Sequence, residues 1–305
     1  MSTPREPEYP KLVMPDTVER TRVKIWSNGI ALDADLYRPK DLGGDRRAPA
    51  VVLSHGWGGS KSTGERYAAK FAEAGIVSLC FTYSGWAASG SHVLLVGDRP
   101  DLEESNEVVA KVRLVREVVD PVEWLQNYRS AVDFIEGEPN VDPDRIGAWG
   151  TSFGGGIAMH HTANDDRIKV LAIQVASLSS VLKGPLAAHA RQRAVDIARG
   201  RIAPVPQGID AYPGLAGTPH LARFLQYNTI DEVSKLKVPT LMMDAGNEEL
   251  FDIRENSGKA YDILKSEGTV PVHYKVIDGI DHYGIYFSGF DEGSEAALEW
   301  FSKHL

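Results

Sequence analysis

Cysteine is almost missing from this chain. Its one thiol, Cys80, excludes an intrachain disulfide, and its place in the apolar run GIVSLCFTY marks it as a free thiol buried in a core strand. Long hydrophobic runs are also missing. Nothing approaches the ~20 apolar residues of a membrane span. The polar, proline-bearing start MSTPREPEYPKLVMPD has no apolar signal segment, so a soluble, cytoplasmic protein without a membrane partner is expected. Positive charge is in deficit: the formal net charge of −9 argues against a general nucleic-acid or anionic-membrane surface. Internal repeats and low-complexity tracts are lacking too. What remains is ordinary globular composition, and 305 residues are enough to bury a core without covalent staples.

The pattern along the chain is an alternation of strands and helices. Residues 1–19 read as an extended arm, and residues 20–305 as the folded domain. RTRVKIWSNGIALDADLYRP alternates around Asn28-Gly29, which favours a type I′ hairpin turn. APAVVLSHG, GIVSLCFTY, RIGAWG, IKVLAIQVA, VPTLMMDAG and VPVHYKVIDG are short, mostly apolar runs of the kind that form strands covered on both faces. Between them lie helical periods: Tyr67, Phe71 and Ala74; Leu125, Tyr128, Val132 and Ile135 after Pro121; the stretch ENSGKAYDILKSEG; and a last helix with Ala297, Leu298, Phe301 and Leu305 on one face. The order predicts an α/β fold, with a mostly parallel central sheet and helices on both faces. Two stretches break the rhythm. Residues 84–123 hold Val108, Val112, Val115 and Val119 in helical register. Residues 178–228 read as a helical lid insertion, with a helix from Pro185 to about Arg199.

Glycine is concentrated where a strand should become a helix, in RIGAWGTSFGGGIAMHH. Gly150 and Gly154 flank Ser152 by two residues on each side, the G-x-S-x-G pattern of a nucleophile elbow. Small residues there let strand and helix approach, and the turn lifts the serine hydroxyl to a helix N-terminus. A serine hydroxyl needs a base and an orienting acid to act as a nucleophile. His282, in VIDGIDHYGIY after the last core strand, holds the position a base requires. The acid should follow the preceding strand, in LMMDAGNEELFD. Glu248 is favoured there, Glu249 and Asp252 compete, and Asp244 ends the strand itself and lies too low. Donors for a developing oxyanion are expected from the backbone N–H groups of Phe153 and of Trp57, the latter in the glycine-rich loop SHGWGGSKS, which His55 braces.

Together and in this order, these residues resemble the α/β-hydrolase superfamily, on HGWGG, GTSFGG, DAGNEELF and the DH before the final helix. The stretches VDPDRIGAWGTSFGGG and YSGWAASGS make the chain most similar to dienelactone-hydrolase-like and X-Pro dipeptidyl-peptidase-like esterases. The resemblance implies an α/β-hydrolase fold, the order Ser152, Glu248, His282, and an active-site border at YSGWAASGS. Three departures stand out. Dienelactone hydrolases proper use cysteine where Ser152 stands. Many relatives carry aspartate where Glu248 stands. The HGGG of some esterases reads HGWG here, which places Trp57 in the acyl pocket.

The expected function is a serine carboxylesterase acting on a small-molecule ester through an acyl-enzyme, with no cofactor and no metal. Lactone, thioester or X-Pro-type amide hydrolysis on the same residues is the alternative, and a non-catalytic binding protein on a hydrolase scaffold is the reading from another class. Phosphate-binding loops are disfavoured, because Ser60 stands where a Walker pattern needs glycine and Lys61 where a dinucleotide pattern does. The adjacent His160 and His161 lack metal-ligand spacing. Trp57, Trp86 and Tyr283 are the expected substrate-binding aromatics. The lid carries Lys183, Arg191, Arg193, Arg199, Arg201 and Arg223 against Asp196 and Asp210, which suggests a taste for anionic substrates, with a solvated amphipathic helix as the plain alternative. Oligomeric state is left open, a homo-oligomer included.

Overall fold

A computed structural model describes residues 8–98, 100–101, 106–206 and 215–305. Its centre is an eight-stranded sheet: β1 (Val18–Ser27), β2 (Ile30–Pro39), β3 (Ala48–Ser54), β4 (Val77–Phe81), β5 (Val141–Thr151), β6 (Ile168–Gln174), β7 (Thr240–Ala245) and β8 (Val272–Ile277). Their spatial order is β1-β2-β4-β3-β5-β6-β7-β8. β1 and β2 form the hairpin expected at Asn28-Gly29, where both residues have positive φ, 47° and 79°. β2 meets β4 antiparallel, and every later pairing is parallel.

The strands alternate between two cores. In β3, Ala50 and Val52 face one core while Val51 and Leu53 face the other. Helices α2 (Pro121–Glu136), α3 (Phe153–Thr162) and α5 (Ser257–Glu267) cover the first face; α1 (Glu65–Glu73) and α6 (Phe290–His304) cover the second. α2 starts where the sequence dictates: Asp120 accepts the Val122 and Glu123 amides, and Pro121 takes the first position, whose missing N–H costs nothing. Cys80 is fully enclosed in β4, and burial pushes its thiol well above the ordinary range.

Two expectations need correction. Val108, Val112, Val115 and Val119 do not form a helix. Val93–Leu95 and Val112–Leu114 pair as an antiparallel ribbon instead, and Val118–Val119 pair with Thr218–Pro219. β-branched residues are stiff at χ1 and suit extended backbone, so a valine-rich helical period was a weak signal. The folded sheet also starts earlier than residue 20, at Val18. The insertion between β6 and β7 does carry the expected helix, α4 (Pro185–Ala198). Asp210 lies outside the described residues.

The tightest crossing in the fold lies between β3 and the start of α3. A Cβ on Gly154 would sit 2.1 Å from the His55 carbonyl oxygen, and one on Gly150 would sit 2.5 Å from the Gly154 carbonyl oxygen. The Ser54 hydroxyl donates to the Gly154 carbonyl at 3.0 Å across the same gap. Both neighbours at Gly154 are backbone and cannot swing aside. Gly154→Ala is therefore expected to cost about 1–3 kcal/mol, read as a lower urea midpoint, whereas alanine at the open Gly43 should leave the midpoint in place.

Candidate active site

β5 delivers Ser152 to the sheet rim in a conformation that L-residues rarely adopt, φ 53° and ψ −130°. Such a residue costs on the order of 1–3 kcal/mol and persists only where its surroundings over-determine it. They do so here. Its N–H donates to the Gln174 carbonyl at 3.0 Å, and its own carbonyl accepts the Gly155 and Ser177 amides at 3.0 and 3.1 Å. The hydroxyl is left facing the cavity at the head of α3.

The loops after β7 and β8 run side by side. Gly246 N–H donates to Ile277 at 2.8 Å, and Asn247 N–H to Ile280 at 2.9 Å. That pairing sets Glu248 against His282. Both carboxylate oxygens of Glu248 lie 2.8–2.9 Å from His282 Nδ1, and His282 Nε2 lies 3.1 Å from Ser152 Oγ. The Glu248 and His282 side chains are each 2% exposed, so water does not compete for this chain of contacts. An ionised carboxylate can only accept, so the proton belongs on Nδ1, and the Nε2 lone pair is turned to the serine hydroxyl.

The competing carboxylates are sorted by the same geometry. Glu249 accepts the backbone N–H of His282 at 2.9 Å and does not touch its ring. Asp252 is exposed and paired with Arg254, whose guanidinium holds it down to about 2. Asp244, at the end of β7, is buried; it accepts the Ser257 hydroxyl at 3.1 Å and the Tyr274 hydroxyl at 2.9 Å. Burial, with the charge of Glu248 nearby, pushes Asp244 up to about 7.

The loop after β3 presses on the serine. A Cβ on Gly56 would lie 2.7 Å from Ser152 Cβ, so only glycine fits the approach. His55 braces that loop. Its Nε2 accepts the Tyr83 amide at 3.3 Å, so Nδ1 carries the proton and donates to the Gly56 carbonyl at 2.8 Å. Burial pulls its pKa down to about 4, which keeps the ring neutral. The Trp57 and Phe153 residues flank Ser152 from this loop and from the first turn of α3, where backbone N–H groups have no intrahelical acceptor.

Ser152, His282, Trp57, Phe153 and Tyr283 all line one cavity of about 330 Å³. Trp86 does not. It is 4% exposed, donates from its indole to the Val118 carbonyl, and packs edge-on against Trp124. Its aromatic character, read as a binding signal, serves the core. Of the lid cations only Lys183 reaches the cavity, where Asp252 and Glu255 also stand. Arg201 and Arg223 are spent on Asp196 and Asp120. No motif pointed to Tyr9, Phe251 and Tyr286, which also form the wall. Tyr9 lies in the polar arm, Phe251 in a loop and Tyr286 in the short helical turn Tyr283–Tyr286, and only the folded chain defines where these run. Among the described residues, no cluster of His, Cys, Asp and Glu could hold a metal ion, and no helix is long and apolar enough to cross a membrane.

Comparison with known proteins adds four findings. Residues 32–183 match the dienelactone hydrolase family, a range that includes Trp57, Ser152 and Phe153 and stops before Glu248 and His282. An uncharacterized protein of Pseudomonas aeruginosa is 35% identical over 47% of this chain, but the match spans only 33% of that protein. A quorum-quenching protein, AidA, of Acinetobacter baumannii is 27% identical over 50% of this chain and 42% of its own length. The crystal structure of the α/β hydrolase GrgF from a Penicillium species superposes over 94% of this chain and 99% of its own with a TM-score of 0.67 at 18% identity, which establishes a shared α/β-hydrolase-like fold.

Asp244 makes stability depend on pH. Its folded value of about 7 stands above the ordinary 3.8, so the folded state binds the extra proton. The contribution is complete below about pH 4 and is lost as pH rises to about 7. Asp244→Asn cannot ionise, and its urea midpoint is expected to fall less than that of the parent across this window. Glu249→Ala should lower kcat several-fold, and Glu249→Gln, which keeps an acceptor for the His282 amide, should restore it.

Proposed function

We propose, from the premise that the chain is a dienelactone-hydrolase-like α/β hydrolase, that it is a serine hydrolase of small carboxylic esters. The observation that carries this reading is the unbroken contact from Glu248 through His282 to Ser152, opening on an aromatic-walled cavity.

Ser152 Oγ attacks the ester carbonyl while His282 Nε2 takes its proton. The oxyanion accepts from the Phe153 and Trp57 amides, each such donor contributing roughly 10²–10³ in rate. His282, its imidazolium stabilised by Glu248, returns the proton to the leaving alcohol, and the acyl group stays on Ser152. Water, deprotonated by His282, attacks the acyl carbonyl, releases the acid and restores the hydroxyl. No external proton donor or metal enters this balance. Lys183 against Asp252 and Glu255 gives the wall no surplus of positive charge, so neutral esters suit it better than anionic ones. A lactone is the second reading, favoured by the family match itself; ring opening would follow the same steps, with the alcohol kept on the acid.

A fluorophosphonate probe is expected to phosphonylate Ser152 in the parent protein and nothing in Ser152→Ala, which should lose roughly 10⁴-fold or more in kcat. A loss under tenfold overturns the assignment. Glu248→Gln should cost on the order of 10⁴-fold by spoiling the imidazole tautomer, while Asp252→Asn should stay within about twofold of the parent. Nitrophenyl esters assayed beside a lactone panel separate the two readings.

A further inference from the structure

The described part of the arm, from residue 8 to the start of β1, is docked on the body of the protein. The Leu12 backbone amide bonds to the Glu65 carboxylate at the start of α1, and Leu12 and Met14 pack on the second core. The docking carries Tyr9 to the cavity, where its ring stands edge-on to Tyr286 with centroids 5.2 Å apart and lies over Phe287 at 6.3 Å. Tyr286 is itself fixed: its hydroxyl bonds the Thr151 hydroxyl at 2.5 Å, its carbonyl accepts from Arg66 at 2.9 Å, and it closes the helical turn Tyr283–Tyr286 that follows His282. A side chain some 140 positions before the serine thus stands in the same cavity wall, on a rigid support.

We propose that Tyr9 is a specificity-determining residue: its ring closes one side of the cavity and restricts the site to small esters. The inference rests on the ester-hydrolase reading above and concerns the size of the substrate. The cavity holds only about 330 Å³, at the low end for small-molecule sites, so one phenol ring is a large part of its boundary. In an apolar pocket each methylene gained or refused is worth about 10-fold or more in kcat/KM, so removal of a ring should be felt over several carbons of a substrate chain. Tyr9 does not touch the reacting atoms, and its effect should therefore appear in discrimination between substrates rather than in a uniform loss of rate.

The test is the ratio of kcat/KM for p-nitrophenyl decanoate to that for p-nitrophenyl acetate, in the parent, Tyr9→Ala, Tyr9→Phe and Tyr9→Trp proteins. Active sites are counted with the fluorophosphonate probe. Tyr9→Ala is expected to raise the ratio at least tenfold, Tyr9→Phe to leave it within about twofold, and Tyr9→Trp to lower it. A rise of less than tenfold in Tyr9→Ala with full probe labelling overturns the proposal, as does an equal loss on both esters, which would mean that Tyr9 only steadies the His282 turn. The parent protein separates this from failure of the underlying reading. A parent that neither labels nor cleaves either ester removes the hydrolase assignment, whereas a parent that does both while the ratio stays fixed removes only the role of Tyr9.

Discussion

The bend at which β5 becomes α3 is the constraint on which the rim of this molecule depends. Ser152 occupies an unfavourable backbone conformation, and the carbonyl and amides of β6, α3 and the loop after β6 hold it there. The same bend forces backbone contact between α3 and the end of β3, so the loop carrying Trp57 has no freedom to drift from the serine. Strain at one residue is thereby offset by the parallel sheet as a whole. The arrangement is rigid because its neighbours are main chain and not side chains that could repack.

The other half of the site is built differently. Glu248 and His282 sit on loops, and loops alone place side chains less precisely than strands do. Backbone bonds between the two loops make up the deficit, and they begin directly where β7 and β8 end, at Gly246 and Ile277. Glu249 fixes the His282 main chain as Glu248 fixes its ring, so two adjacent carboxylates constrain two different degrees of freedom of one residue. Asp244 anchors the start of α5 and the Tyr274 hydroxyl from below. These three acids within six positions are therefore not redundant.

Much of this was legible in the sequence, for reasons that can be named. Buried parallel strands are short and apolar, and Gly150 and Gly154 announce a close crossing. His282 and Glu248 are placed by the order of strands, although the choice among four neighbouring acids needed the fold. The misreadings have physical causes. Helical spacing of valines in 108–119 conflicts with the extended preference of the residues themselves, and the structure follows the preference. Trp86 reads as a pocket aromatic from its glycine- and serine-bearing loop, yet Val118 offers its indole an acceptor inside the protein, and burial wins. Tyr9 could not have been found, because nothing in a polar arm reveals which distant groove it crosses.

The enclosure of Cys80 has a use beyond the fold. A chain whose sole sulfhydryl lies sealed inside β4, with its ionisation suppressed, is effectively blank to alkylating reagents while folded. A cysteine introduced on α4 or on the arm would be the one reactive handle, so spin labels or fluorophores could be attached there without first stripping the protein of native thiols.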